Sequence, residues 1–255
     1  MSITDAQAAH FRRLGFFFLP NPHGGEAMRE VDRRQRQRAA EWEQRQWPEG
    51  FNRLACQFLM LGETALQLVE KPELVEAACR LLECDRVHVG ACGLGDASHL
   101  ISEDGRPWRQ LHWHADGGPE VRQVSLRTAL DRHDPGNAPL RVLPGTHLRP
   151  KDEVAEELME LELASGQHDE APRLCFARHP SEVEVVLDPR WTLVWTPSCW
   201  HATGVKTTAG ARRAMSWNYY PVGGRRRDLE AVKHIFADSW EGWTESRRQL
   251  WGMVP

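Results

Sequence analysis

The chain has 255 residues, 41% hydrophobic and 27% charged, with a formal net charge of -4 and a sequence pI of about 6.3. This is the composition of a globular protein with a sizeable core, and it excludes a protein built to coat nucleic acid or an anionic membrane surface. No apolar run approaches the ~20 residues of a membrane-spanning helix, and the N-terminus lacks a charged-then-apolar signal pattern, so the expectation is a cytoplasmic protein with one large domain over residues 1–255.

Residues 4–14 read as a short helix with Thr4 or Asp5 as N-cap. Gly15-Phe16-Phe17-Phe18-Leu19-Pro20 follows as a buried strand ended by proline. Residues 26–47, charged and free of glycine, form a surface helix until Trp47. Its Arg33, Arg34, Arg36 and Arg38 are flanked by acidic residues and read as a solvated face. Residues 72–84 place Leu74, Val75, Ala78, Leu81 and Leu82 at helical spacing behind Pro72, and residues 86–94 read as a strand. The first 95 residues or so are thus mostly helical.

The pattern then changes. Short β-type runs at 121–130, 140–143, 183–187, Trp191–Trp195 and 212–220 alternate with turns such as Asp134-Pro135-Gly136-Asn137 and Asp188-Pro189. Lys151–Ala164 is a glutamate-rich helical insertion, and the tail from about residue 222 is helical again. The expectation is a mainly β fold with flanking helices, its sandwich or barrel core spanning about residues 96–221. The cysteines, Cys56, Cys79, Cys84, Cys92, Cys175 and Cys199, contain no C-x-x-C pair and read as buried thiols.

Three elements carry chemistry. In His112-Trp113-His114-Ala115-Asp116, residues two apart in an extended segment project to the same side, so His114 and Asp116 can reach one metal ion. His112 shares that parity and is a rival ligand. His201 follows the apolar run Trp191–Trp195. Two imidazoles and one carboxylate make the facial triad of non-haem iron(II) oxygenases, which leaves coordination positions open. Arg212, with Arg213 beside it, lies eleven residues beyond His201. A turn between them would place a guanidinium fork where the far carboxylate of a metal-chelating diacid lies. Either arginine could instead be a salt-bridged surface residue. Trp113, Trp200 and Trp217 lie near the ligands in sequence and read as packing residues before pocket walls. Arg225, Arg226 and Arg227 read as a solvated loop. Two other functions remain open on these residues: a zinc hydrolase using His112, His114 and His201, and a non-catalytic binding protein on a cupin-like barrel.

The chain resembles the phytanoyl-CoA dioxygenase family, which includes ectoine hydroxylase and many tailoring hydroxylases of natural-product pathways. The resemblance is carried by FRRLGFFFLP from Phe11, WHADGG from Trp113, Asn137-Ala138-Pro139-Leu140, Pro144-Gly145-Thr146-His147, and the run from His201 through Thr203 to Arg212. It covers about residues 4–221 and implies a double-stranded β-helix (jelly-roll, cupin-like) core. It assigns iron(II) to His114, Asp116 and His201, and the 5-carboxylate of the co-substrate 2-oxoglutarate to Arg212 and Thr203, leaving His112 as a neighbour. With dioxygen as the second co-substrate, the implied reaction oxidises an unactivated C–H bond of a small molecule, by hydroxylation or a related desaturation or cyclisation. Halogenating relatives replace the carboxylate ligand with a small residue; Asp116 points to oxygenation. Ala138 stands where the family has glycine, and Thr146 where it has serine. Glu120 stands where ectoine hydroxylase has a substrate-contacting tryptophan, which argues against ectoine. The insertion at Lys151–Ala164 is expected to cover the substrate opening. No nucleic-acid or membrane partner is expected, and neither substrate identity nor oligomeric state is legible.

Overall fold

The structure is a computed structural model and describes residues 3–101, 112–166 and 174–254. Helix α1 (Asp5–Leu14) starts with a capping box: Thr4 accepts from the Gln7 amide while the Gln7 side chain reaches back to Thr4. It ends at Gly15, whose φ of 85° lies in the left-handed region. Strand β1 (Phe16–Pro20) follows. Helices α2 (Gly25–Gln44), α3 (Arg53–Leu59), α4 (Glu63–Val69) and α5 (Pro72–Leu81) come next, then β2 (Val87–Asp96). Helices α3 and α4 have no counterpart among the elements expected from the sequence. They are seven residues each, and five consecutive residues of α3, Ala55 to Leu59, are buried. Two turns are too few for an amphipathic period to register.

The remaining strands are β3 (Val124–Ala129), β4 (Leu140–Val142), β5 (Val183–Val185), β6 (Trp191–Trp195), β7 (His201–Thr203) and β8 (Arg213–Pro221). Helix α6 (Lys151–Ala164) lies between β4 and β5, and α7 (Leu229–Ile235) and α8 (Glu245–Leu250) close the chain. Among the described residues, five strands pair antiparallel in the order β1-β6-β3-β8-β2, and three pair as β5-β4-β7. This is a jelly-roll core flanked by helices. The expected boundary near residue 96 needs correction, because β1 and β2 lie before it and form the two edges of the larger sheet. Sheet membership is set by pairing with β6 and β8, more than 100 residues downstream, which local composition does not reveal.

Opposed residues in an antiparallel ladder share a face. One face of the large sheet carries Phe17, Leu126, Val194, Met215 and Trp217, all packed into the main core with the helices. The opposite face carries Phe16, Leu193, Trp195 and Ala129, which meet Leu140, Val142 and Val185 of the small sheet. That second face lines the inside of the roll, and along β3 and β8 it becomes polar, with Ser125, Arg127, Ser216 and Asn218. A bulge in β2 at Gly90 admits the segment after β8: a Cβ there would come within 2.0 Å of the Arg225 carbonyl, so glycine is required.

Two histidines far from any solvent make stability sensitive to acid. Burial, helped by Lys71, pushes the His23 pKa down to about 3. Burial, helped by Arg212 and Arg127, pushes that of His133 down to about 2. The unfolded chain takes up these protons near the ordinary value of ~6.5, while the fold refuses them. Their contribution is therefore complete above about pH 6.5 and is lost progressively as pH falls towards the folded values. Each accounts for a loss of about 2 kcal/mol between about pH 6.5 and 5. Urea unfolding across that range measures the slope, and His23→Phe should reduce it by one proton; an unaltered slope contradicts this reading.

Candidate metal centre

His114 and His201 face each other across an isolated antiparallel bridge. The His114 amide donates to the His201 carbonyl at 3.0 Å, and the His201 amide donates back at 2.9 Å. Such a pair puts both side chains on one side, and the ring centroids lie 4.1 Å apart. Asp116, two residues on, is pinned by its amide to the Pro197 carbonyl at 2.9 Å. Its Oδ1 stands 3.9 Å from His114 Nε2. One ligand atom from each of His114, Asp116 and His201 falls within 4.8 Å of the others. The rival ligand His112 is not in that group; its carbonyl instead accepts from His114 Nδ1 at 2.9 Å. The His112–His114–His201 set required by a zinc hydrolase is thus replaced by one with a carboxylate.

The ring orientations suit a metal. His114 Nδ1 contacts the His112 carbonyl and His201 Nδ1 the Cys199 carbonyl, each at 2.9 Å. A carbonyl only accepts, so Nδ1 carries the proton in both rings and Nε2 presents its lone pair to the cluster. Burial, reinforced by the adjacent His114, pushes the His201 pKa down to about 3, so the ring is neutral and ready to ligate at neutral pH. Among the described residues the Asp116 carboxylate accepts no hydrogen bond. Two oriented lone pairs and an unbonded carboxylate converging on one point fit a divalent cation, and this donor set matches iron(II).

The ligand-bearing segment is braced from behind. Glu162 of α6 accepts from the backbone amides of Cys175, Phe176 and Ala177 at 3.2, 2.6 and 2.5 Å. Ala177 accepts in turn from Trp113 Nε1 at 3.0 Å, and Lys151 Nζ donates to the Ala115 carbonyl at 2.9 Å. Val154 and Leu158 of α6 pack with Trp113 and Trp200. The insertion expected to cover the substrate opening therefore does its packing behind the metal ligands. Trp113 and Trp200 are packing residues, and Trp217 stacks on Phe58 in the main core with centroids 5.9 Å apart. Trp195, on the inner face, meets the His201 ring edge-on at 4.7 Å.

The two neighbouring arginines divide their roles, Arg213 as the first residue of β8 and Arg212 just before it. Arg213 is tied by Nη2 to Asp131 and by Nη1 to Asp32, each at 2.7 Å, which raises its pKa. The salt-bridge alternative thus holds for Arg213. Arg212 is buried and its guanidinium has no carboxylate within hydrogen-bond reach among the described residues; Nε and Nη2 both donate to the Ala138 carbonyl, at 3.1 and 2.9 Å. Burial, with the repulsion of Arg127, pushes its pKa down to about 9, still a cation at neutral pH. Ala138 adopts a φ of 51°, the left-handed conformation that accounts for glycine in the family's motif. Thr203, two residues after His201 and opposite Leu140, lies on the same side of β7 as His201, and the next amide, Gly204, donates to the Pro139 carbonyl at 2.7 Å. Arg212 and Thr203 are therefore brought to one region. Arg127 was missed by the sequence reading. The available signal was a charge at an alternating position, Ser125-Arg127-Ala129, in a strand paired on both sides.

A jelly roll whose inner wall presents two oriented imidazoles, a carboxylate and a buried arginine with no carboxylate partner among the described residues has the kind of donor set that facial-triad oxygenases use. Within that class, a family model for phytanoyl-CoA dioxygenase matches residues 11–214, and the chain belongs to that family. Among solved structures it is similar to AviO1 from Streptomyces viridochromogenes Tue57, with a TM-score of 0.62 and 20% identity over 88% of this chain and 97% of that one. It is also similar to EctD from S. alaskensis with bound Fe, with a TM-score of 0.61 and 21% identity over 88% and 79% of the two chains. A third is the epimerase SnoN in complex with Fe3+, alpha ketoglutarate and nogalamycin RO, with a TM-score of 0.61 and 17% identity over 90% and 88%. At these identities the likeness is one of fold. No curated protein sequence matches the chain. Among the described residues no helix is long and apolar enough to cross a membrane.

Proposed function

We propose that the chain is an iron(II)- and 2-oxoglutarate-dependent dioxygenase that oxidises an unactivated C–H bond of a small molecule in natural-product metabolism. The observation that carries this reading is the convergence of His114, Asp116 and His201 within 4.8 Å on the wall that also holds Arg212, whose guanidinium hydrogen-bonds to no carboxylate among the described residues. Bound iron and 2-oxoglutarate would supply oxidising power through oxidative decarboxylation of the co-substrate to succinate and carbon dioxide. His114, Asp116 and His201 would hold the metal by one face. Asp116 would balance part of its charge. Arg212 would grip the distal carboxylate as a fork, with the Thr203 hydroxyl as a second donor. The buried inner wall would exclude water from the reacting bond.

The natural-product assignment is supported by the epimerase SnoN and the carbocyclase SnoK, both from nogalamycin biosynthesis and both of this fold. The same C–H oxidation serves hydroxylation, desaturation or ring closure, depending on what the wall holds beside the carbon. The test is direct. Purified chain with ferrous iron, 2-oxoglutarate and air should form succinate, faster with a polycyclic or glycosylated substrate, and chelation or replacement by zinc should stop it. Metal-independent succinate, or none with iron present, defeats the proposal.

A further inference from the structure

Arg127 sits in the middle of β3, opposite Ser216 of β8 and Leu193 of β6. Leu193 belongs to the inner cluster, so this register turns Arg127 inward. Among the described residues its guanidinium makes no hydrogen bond and no ion pair, and Nε is buried without an acceptor. Burial alone lowers its pKa, to about 10, and no carboxylate raises it. Arg212, by contrast, feels the partial compensation of Asp96. A half-buried cation left unpaired among the described residues gives up hydration without gaining a partner, and a methionine would fill the same volume without that penalty. Packing therefore does not explain an arginine at this position.

Its place in the sheet locates it further. Arg127 shares the inner face with Ser125, Ser216 and Trp195, and Trp195 meets the His201 ring edge-on at 4.7 Å. Towards the other end of the proposed co-substrate site, its charge also lowers the pKa of Arg212, the distal anchor. Two guanidinium groups on one inner face, neither hydrogen-bonded to a carboxylate among the described residues, call for more negative charge than a single carboxylate supplies.

Resting on the oxygenase reading above, we propose that Arg127 is a second carboxylate anchor. It binds a ligand carboxylate beside the metal: the metal-proximal carboxylate of 2-oxoglutarate, or one borne by the primary substrate. The experiment is anaerobic calorimetry on iron(II)-loaded protein, comparing wild type with Arg127→Met, Arg127→Lys and Arg212→Met. If the co-substrate is the source, Arg127→Met weakens 2-oxoglutarate at least about tenfold, the size of one charge-assisted hydrogen bond, and Arg127→Lys restores most of it. Pyruvate, which lacks the distal carboxylate, is then weakened by Arg127→Met and not by Arg212→Met. If the substrate is the source, 2-oxoglutarate binding stays within about twofold. Benzoate, used as a carboxylate probe, then binds the 2-oxoglutarate-loaded wild type and not Arg127→Met. Thermal melting of the unliganded variant, expected at or above wild type, shows that it folds. Wild-type binding of 2-oxoglutarate and pyruvate by Arg127→Met, with no Arg127-dependent binding of benzoate, overturns the proposal. Should Arg212→Met also bind 2-oxoglutarate normally, the underlying co-substrate reading falls with it; otherwise only the role of Arg127 falls.

Discussion

Asp116→Ala should lower iron-dependent succinate formation by about 10^3-fold or more, since partners merely hydrogen-bonded to metal ligands already account for about 10- to 100-fold. The substitution removes one of three donors and the only anionic one in the cluster. What remains is His114 and His201, two neutral imidazoles whose Nε2 atoms face a dication with no countercharge. Asp116→Asn keeps an oxygen donor without the charge and should fall between the two. Stability should hardly change, because the side chain is half exposed and accepts no hydrogen bond among the described residues. Iron affinity by anaerobic titration, with urea unfolding as the control, separates these effects. An Asp116→Ala variant that binds iron like wild type removes the carboxylate from the site.

The second large effect is expected at Arg212. Arg212→Met should raise the 2-oxoglutarate concentration for half-maximal succinate formation by about 10^2- to 10^4-fold, because it takes one partner from a buried ion pair, a loss of about 3–5 kcal/mol. Iron binding should persist, since none of the three metal-capable side chains hydrogen-bonds to Arg212. The unliganded variant should be at least as stable as wild type. Burial already holds the Arg212 pKa down to about 9, so the fold carries this cation at a cost that methionine avoids. Wild-type protein should gain melting temperature on adding 2-oxoglutarate and iron, and the variant should lose most of that gain. Equal co-substrate response in both proteins contradicts the anchor.

Much of this was legible wherever a local rule and the tertiary role agreed. Trp191–Trp195 and Lys151–Ala164 have the expected bounds. In the first, an apolar run ends at the Thr196-Pro197 turn; in the second, a charged helix follows Pro150. The His114–Asp116 pairing followed from strand parity, but parity alone left His112 an equal candidate. The bridge between His114 and His201 breaks that tie, and a contact 87 positions long has no local signature. Likewise Arg212 and Arg213 are interchangeable in sequence. Only the pairing of Asp131 and Asp32 with one of them shows which guanidinium is left for a ligand. Arg127 was overlooked because a lone charge in a strand usually marks a solvated face, and here that face is the inside of the roll.

One measurement addresses the heart of the account: calorimetric titration of 2-oxoglutarate into the anaerobic protein, with and without one equivalent of ferrous iron. Tight binding that appears only with iron, and disappears when His201 is replaced by alanine, is the predicted result. Binding that ignores the metal, or survives loss of that imidazole unchanged, would mean that His114, Asp116 and His201 do not form the co-substrate's metal seat.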